Sequence, residues 1–131
     1  MNPSLGLLIL RIGGAGLLLY GHGWGKLMGF GERTASFSDP LGIGSPASLA
    51  LVVFAEVVCA LAVILGLFTR LAVIPPTVFF LVAVFVHHAA DPWPKKELAL
   101  IFAVPFLALF FTGAGAYSLD AVLARRRTVE S

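Results

Sequence analysis

The sequence predicts an all-α integral membrane protein: a four-helix bundle with a short C-terminal helix at the membrane interface, the whole of residues 1–131 forming one domain. Three observations carry this. Hydrophobic residues make up 59% of the chain and charged residues 12%, where an average soluble domain has roughly 25% charged. Mean hydropathy is +0.97, and a chain this small cannot hide so much apolar surface from water. Finally, the apolar residues fall into four runs separated by stretches of Gly, Pro, Asp and Ser, and about 20 apolar residues suffice to cross the hydrocarbon core.

The first helix is predicted over residues 3–28. Asn2 can cap it, and Pro3 suits the first helical position, where its missing N–H costs nothing. The apolar run continues past Tyr20 and Met1–Ser4 carry no basic side chain, so the segment reads as a retained helix and not as a secretory signal. Residues 29–45 form a loop with room for a short interfacial helix. Ser45-Pro46 repeats the cap-then-proline start, and the second helix is predicted over 46–68. After the turn Gly66–Leu71 comes a third helix over 71–88, with Pro75-Pro76 disturbing its first turns. Asp91-Pro92-Trp93-Pro94 is loop chemistry. The fourth helix is predicted over 95–112, kinked at Pro105 and ended by Gly113 and Gly115. A last short helix over 118–127 is capped by Ser118 and anchored by Arg125-Arg126-Arg127.

Function classes narrow quickly. The formal charge is only +2 and three of the nine basic residues are that terminal triplet, which is too short to suggest nucleic-acid binding. Cys59 is the single cysteine, so the chain has no internal disulfide and no CxxC redox pair. Four spans put both termini on one side. Arg70 and the triplet then face Lys26, Arg33, Lys95 and Lys96 across the membrane, four against four. The compactness of the triplet tips the expectation to cytoplasmic termini.

The polar residues are organised around Tyr20–Gly29. His22 and Lys26 are spaced i, i+4 and share a helical face. Arg11, eleven residues before His22, lies only about 20° from its direction at 3.6 residues per turn. Gly21, Gly25 and Gly29 form a ridge along which another backbone could approach. With both termini at one end, His22, Lys26, His87, His88 and Glu97 gather at the other, and Glu56 lies roughly 15 Å in from it. The arrangement describes a pocket opening at that end with an acid at its floor. Its candidate ligand-binding residues are Arg11, His22, Lys26, Glu56, His87 and Glu97.

Each has a plainer reading beside it. Arg11 and Glu56 can pair to neutralise each other and fix helix packing, although an intramembrane carboxylate is also a default functional candidate. Lys26 can snorkel to the headgroups. His22 is placed inside the bundle, where its pKa suits proton exchange near neutrality. His87 and His88 point about 100° apart, so one of them at most faces a pocket. Two histidines on facing helices could ligate haem iron, but so few histidines assign no metal site. Glu97 can serve the dipole of the fourth helix, Trp24, Trp93 and Tyr117 the membrane interfaces, and Asp120 the terminal helix.

Taken together, Leu10-Arg11, His22-Gly23-Trp24-Gly25-Lys26-Leu27, Glu56, Leu65-Gly66-Leu67-Phe68-Thr69-Arg70, a histidine ending the third helix, Glu97 and Gly113–Asp120 resemble, in this order, the DoxX family of small bacterial four-helix membrane proteins. The resemblance implies a protein of the bacterial cytoplasmic membrane with both termini inside. It also implies a redox association, since relatives include membrane subunits of a thiosulfate:quinone oxidoreductase and components of oxidative-stress complexes. It assigns no catalytic role to any residue.

The leading functional expectation is a quinone-interacting or accessory subunit of an oxidoreductase complex, whose electrons come from a protein partner. His22 or His87 would donate to a quinone carbonyl, and Glu56 would relay protons while Arg11 holds its charge. Quinone is the candidate cofactor and haem the lesser one. The alternatives are a carrier of protons or small solutes, for which the chain is short and shows no paired broken helices, and a membrane scaffold recruiting redox or stress proteins. Lipid is the expected surrounding, and the glycine ridge offers a contact for homo-oligomers.

Overall fold

The computed structural model describes residues 1–39 and 41–130. Helix α1 (Pro3–Met28) is followed by the short α2 (Phe30–Arg33), then α3 (Ser45–Leu65), α4 (Thr69–His87), α5 (Trp93–Thr112) and α6 (Leu119–Glu130). α1, α3 and α4 are long and apolar enough to cross a membrane. α5 carries Lys95, Lys96 and Glu97 in its first turns, then runs apolar from Leu98 through Pro105 to Thr112 without interruption. α1 packs on α3, α3 on α4, α4 on α5, and α5 returns to α1, so the four helices close. The protein is an all-α membrane bundle.

Packing explains the residue pattern. The seam between the helices holds Ala15 and Leu18 of α1, Ala60 and Val63 of α3, Phe80 and Val84 of α4, and Ala99, Ala103 and Phe106 of α5. Alanine at so many facing positions lets the backbones approach, the usual means of association where apolar burial gives no driving force. Around the outside, Ile9, Leu17, Leu51, Phe54, Val78, Phe85, Ile101 and Phe111 are exposed. An apolar exterior over an apolar seam is what lipid as solvent requires.

Both termini and the α3–α4 turn meet at one end of the bundle, called here the terminal end. Asn2 caps α1 through Oδ1, which accepts from Leu5 N–H at 3.1 Å, as its sequence position predicts. α3 stops at Gly66, whose φ is 70°, and Phe68 follows at φ 48°, a left-handed conformation unusual for a non-glycine residue. The start of α4 is then capped from far along the chain. The Asp120 carboxylate accepts from Phe68 N–H at 2.7 Å and Thr69 N–H at 3.0 Å, and Asp120 N–H donates to the Gly66 carbonyl at 2.8 Å. Asp120 therefore serves α4 in addition to its own helix. Ser118 Oγ does cap α6, accepting from Ala121 N–H at 3.1 Å.

At the opposite end the sequence reading of Ser45 is corrected. The helix begins at Ser45 itself, whose hydroxyl donates to the Phe37 carbonyl at 2.8 Å. Gly44 is the N-cap, and the turn leading to it is tied by Asp39, which accepts from Ile43 N–H, Gly44 N–H and the Ser48 hydroxyl at 3.0, 2.8 and 2.8 Å. The Ser48 hydroxyl, then these backbone amides, hold the Asp39 carboxyl below the usual carboxylate range.

Candidate functional site

α1, α3 and α4 each open into a π-turn over one stretch: Leu19–Gly23, Phe54–Cys59 and Ala83–His87. These turns contain His22, Glu56 and His87. Such i→i+5 turns frequently mark functional sites. They also upset the 3.6-residue arithmetic that placed Arg11, His22 and Lys26 in one stripe, and in the fold the three side chains make contacts with different elements.

Lys26 reaches into the bundle. Its Nζ lies 2.5 Å from Glu56 Oε1, and Glu56 is 1% exposed. Lys26 is half-buried, with its ammonium 5.8 Å from the centre of the Phe79 ring, a cation–π distance. The reading of Lys26 as a headgroup anchor is thereby overturned, and so is the pairing of Glu56 with Arg11. An ammonium is the more economical partner here, because Lys26 enters at the end of α1 and keeps part of its stem near the boundary. The helices approach closely at this level because position 23 has no side chain. A Cβ on Gly23 would lie 2.8 Å from the Glu56 carbonyl carbon. Gly23→Ala is accordingly expected to push α1 off α3 and to cost about 1–3 kcal/mol in thermal unfolding. Gly21→Ala, at a position with no atom near its Cβ, is expected to be nearly neutral in the same measurement.

The glycine ridge has another role than the one its spacing suggests. Among the described residues nothing lies within 4 Å of a Cβ on Gly21, while Gly25 and Gly29 have Arg33 as their side-chain neighbour. Gly21 and Gly14 instead line a groove of about 480 Å³ between α1 and α5. Its other walls include Leu10, Leu17, Ile101, Phe102, Pro105 and Phe106, and His22 is its one titratable side chain. The His22 ring meets Phe102 edge-on at 5.5 Å, Phe102 stacks on Phe80 at 5.2 Å, and Phe80 leans on Phe79 at 5.0 Å. An aromatic chain thus joins the groove histidine to the Lys26–Glu56 pair, and His22 is near enough for its charge to act on Glu56.

The remaining candidates stand elsewhere. Arg11 is 1% exposed and donates from both terminal nitrogens to the Tyr117 carbonyl, at 3.2 and 2.8 Å. Its nearest acid by charge is Asp120. Arg11 therefore belongs to the terminal end and not to the floor of a pocket. His87 is exposed and meets Ser38 Oγ through Nδ1 at 3.0 Å. His88 pairs with Asp91 at 2.7 Å, which holds the Asp91 carboxyl below its usual range. Glu97 is exposed on the first turns of α5. The expected outward pocket with Glu56 as its floor is replaced by a groove on the side of the bundle with His22 in its wall. Among the described residues no three His, Cys, Asp or Glu side chains come together as a metal site would need.

Two parts of the site escaped the sequence reading. Phe79, Phe80 and Phe102 read as ordinary membrane residues, and only their meeting across α4 and α5 gives them a role. Asp39 sits in a loop rich in turn residues, although its spacing of nine from Ser48 offered no local capping pattern.

Contacts at the two ends of the bundle explain why scattered short motifs keep company. Gly66-Leu67-Phe68-Thr69 is bound by Asp120, Arg11 by Tyr117, and the Gly23 segment lies on Glu56. The chain is 30% identical over 127 residues to the inner membrane protein YqjF of Escherichia coli (strain K12), covering 94% of this chain and 95% of that protein. No solved structure matches it. Residues 6–89, which hold α1 from Gly6 onward, α3, α4 and with them His22, Lys26 and Glu56, match the DoxX family model, and the chain belongs to the DoxX family.

Proposed function

We propose that this protein is a quinone-binding component of an inner-membrane oxidoreductase complex, with both termini cytoplasmic and a protein partner as electron donor. One observation carries the reading: an apolar groove open on the side of the bundle whose single titratable side chain is His22. An isoprenoid quinone lives in the bilayer, needs a slot reached from lipid, and presents carbonyl oxygens that require a donor. The groove supplies apolar walls for the ring and tail, and the imidazole supplies the N–H. When bound, the quinone accepts two electrons from the partner and two protons. His22 would hold one carbonyl through its N–H and could pass it one proton, the other coming from water at the membrane surface. The Lys26–Glu56 pair behind the aromatic wall fixes the local charge. The likeness to a protein named for the inner membrane supports the location, and Arg125–Arg127 beside the terminal end support the orientation.

A permeation route is less favoured. Between Arg11 and Glu56 the bundle interior is filled by Ala15, Leu18, Ala60, Val63 and Phe106, all 2% exposed or less.

The test is a titration of the protein in nanodiscs with short-tailed ubiquinone and menaquinone analogues, following fluorescence of Trp24, two residues from His22. Saturable quenching is expected, weakened about fivefold to tenfold by His22→Ala through loss of one hydrogen bond. Gly14→Leu, placed where a Cβ meets no atom of the protein, is expected to fill the groove and abolish saturation. Non-saturating quenching, equal in all three proteins, would be partition into lipid and would sink the proposal.

A further inference from the structure

Among the described residues, α6 is hydrogen-bonded to the rest of the bundle at its start. Asp120 binds the Gly66–Thr69 turn, residues 121–123 are half-buried, and residues 124–129 are exposed. At 100° per residue the helix has a defined outer face. Asp120 points to the bundle, and almost opposite it stand Val122, Arg125, Arg126 and Val129, at i, i+3, i+4 and i+7. These four line one shallow recess. Arg127 falls about 140° from Val122, near the Asp120 side. The outer face therefore joins two valines to two guanidinium groups, while no carboxylate of residues 119–129 lies on it.

The height of this face is set by what precedes it. α5 ends at Thr112, and six residues, Gly113–Ser118, lead to Leu119. Phe68, Leu71 and Phe111, at the same end, are exposed as lipid-facing residues are. Tyr117, half exposed, adds an aromatic ring of the kind found at headgroup level. α6 thus starts where the hydrocarbon ends. From there, apolar side chains flanked by arginines suit one surface: the valines enter the acyl boundary, and each guanidinium meets a phosphodiester with planar, paired donors.

We infer that α6 is an anionic-phospholipid binding element, its Val122–Arg125–Arg126–Val129 face lying on the headgroup layer and Arg125 and Arg126 holding lipid phosphates. The inference is independent of the groove and of quinone. The occupant is the lipid surface, since free phosphate would gain nothing from the valines. The face then senses the composition of its leaflet, and contact with acidic lipid holds residues 122–129 against it.

The experiment uses the full chain in nanodiscs, with Cys59→Ala and an environment-sensitive fluorophore on Val129→Cys, a position 87% exposed in the structure. A blue shift is expected when phosphatidylglycerol replaces part of the phosphatidylcholine, and high salt should reverse it. Each basic residue near an acidic surface is worth about a fivefold preference. Arg125→Gln with Arg126→Gln should therefore reduce the bound fraction on the order of twentyfold, and Arg127→Gln much less. Glycerol phosphate added to phosphatidylcholine discs should give no shift. The inference is overturned if lipid composition leaves the emission unchanged, if glycerol phosphate reproduces the shift, or if Arg127→Gln equals Arg126→Gln. The last outcome would mean that net charge and not this face attracts the helix.

Discussion

Lys26→Met is expected to lower the stability of the folded protein in detergent by about 3 kcal/mol, because it leaves the Glu56 carboxylate without its ammonium partner inside the bundle. The lost Coulomb attraction is only part of the cost. Glu56 is 1% exposed, so its charged form cannot recover solvation when Lys26 is removed. Two further proteins separate pair from packing. Glu56→Gln alone leaves a buried ammonium with an amide to bind and is expected to cost less. The double variant, with neither charge, is expected to regain at least half of the Lys26→Met loss, since buried pairs are often replaceable by neutral groups but not divisible. Thermal unfolding of all four proteins gives the coupling energy directly. Losses that simply add would mean that Lys26 and Glu56 do not act as a pair, and the arrangement at the π-turns would need another explanation.

How much of this could be read from the chain divides along physical lines. Burial in lipid is a property of runs, so the four apolar segments, their turns and the membrane class were legible, as was the local cap of α1 by Asn2. Proline starts were legible only by position: Pro46 lies in the first turn of α3, yet the helix begins at Ser45 and its N-cap is Gly44, in a turn tied by Asp39. What escaped were directions. A single π-turn between Arg11 and Lys26 changes the angle between them, and no residue type announces such a turn. His22, Lys26 and Glu56 were recognised as polar groups at one level, but the partner of each depended on that angle. Arg11 was further beyond reach, because its acceptor is a backbone carbonyl 106 residues away. A carbonyl has no letter in the sequence.

Structure at the two ends of the bundle also separates the proposed site from the contacts that hold the fold. The groove histidine and the ion pair lie toward the end of α1 that leads into α2, whereas the terminal end is a clasp of capping bonds. Glycine and aspartate share that work: Gly66 supplies the left-handed turn, and its α-carbon hydrogen side is occupied, with a Cβ there lying 3.1 Å from the Ser118 α-carbon. The family match spans residues 6–89, which hold His22, Lys26 and Glu56 but not the Tyr117, Ser118 and Asp120 side of the clasp. Matching motifs establish the bundle more firmly than they establish a ligand.

The clasp makes the second large prediction. Asp120→Ala removes the acceptor of two backbone N–H groups at the start of α4, both at a turn whose Phe68 is already in a left-handed conformation. The expected loss is about 2 kcal/mol, the upper range for a helix cap, because the acceptor is charged and the donors have no helical partner. Arg11 loses its nearest acid in the same step, so α1 should loosen against the Gly113–Ser118 segment. Asp120→Asn keeps one carbonyl acceptor and should lose about half as much. Hydrogen exchange locates the effect where a melting curve cannot: the amides of Phe68 and Thr69 should lose protection in Asp120→Ala, while those around Glu56 keep theirs. Unchanged exchange at Phe68 and Thr69 would show that the turn is held by packing of the helices and that Asp120 caps α4 in geometry but not in energy. Because α6 meets the bundle through this residue, the same variant should free α6 without altering its own sequence from Ala121 onward. Release of α6 with the groove intact would then establish that the two ends of the molecule work independently.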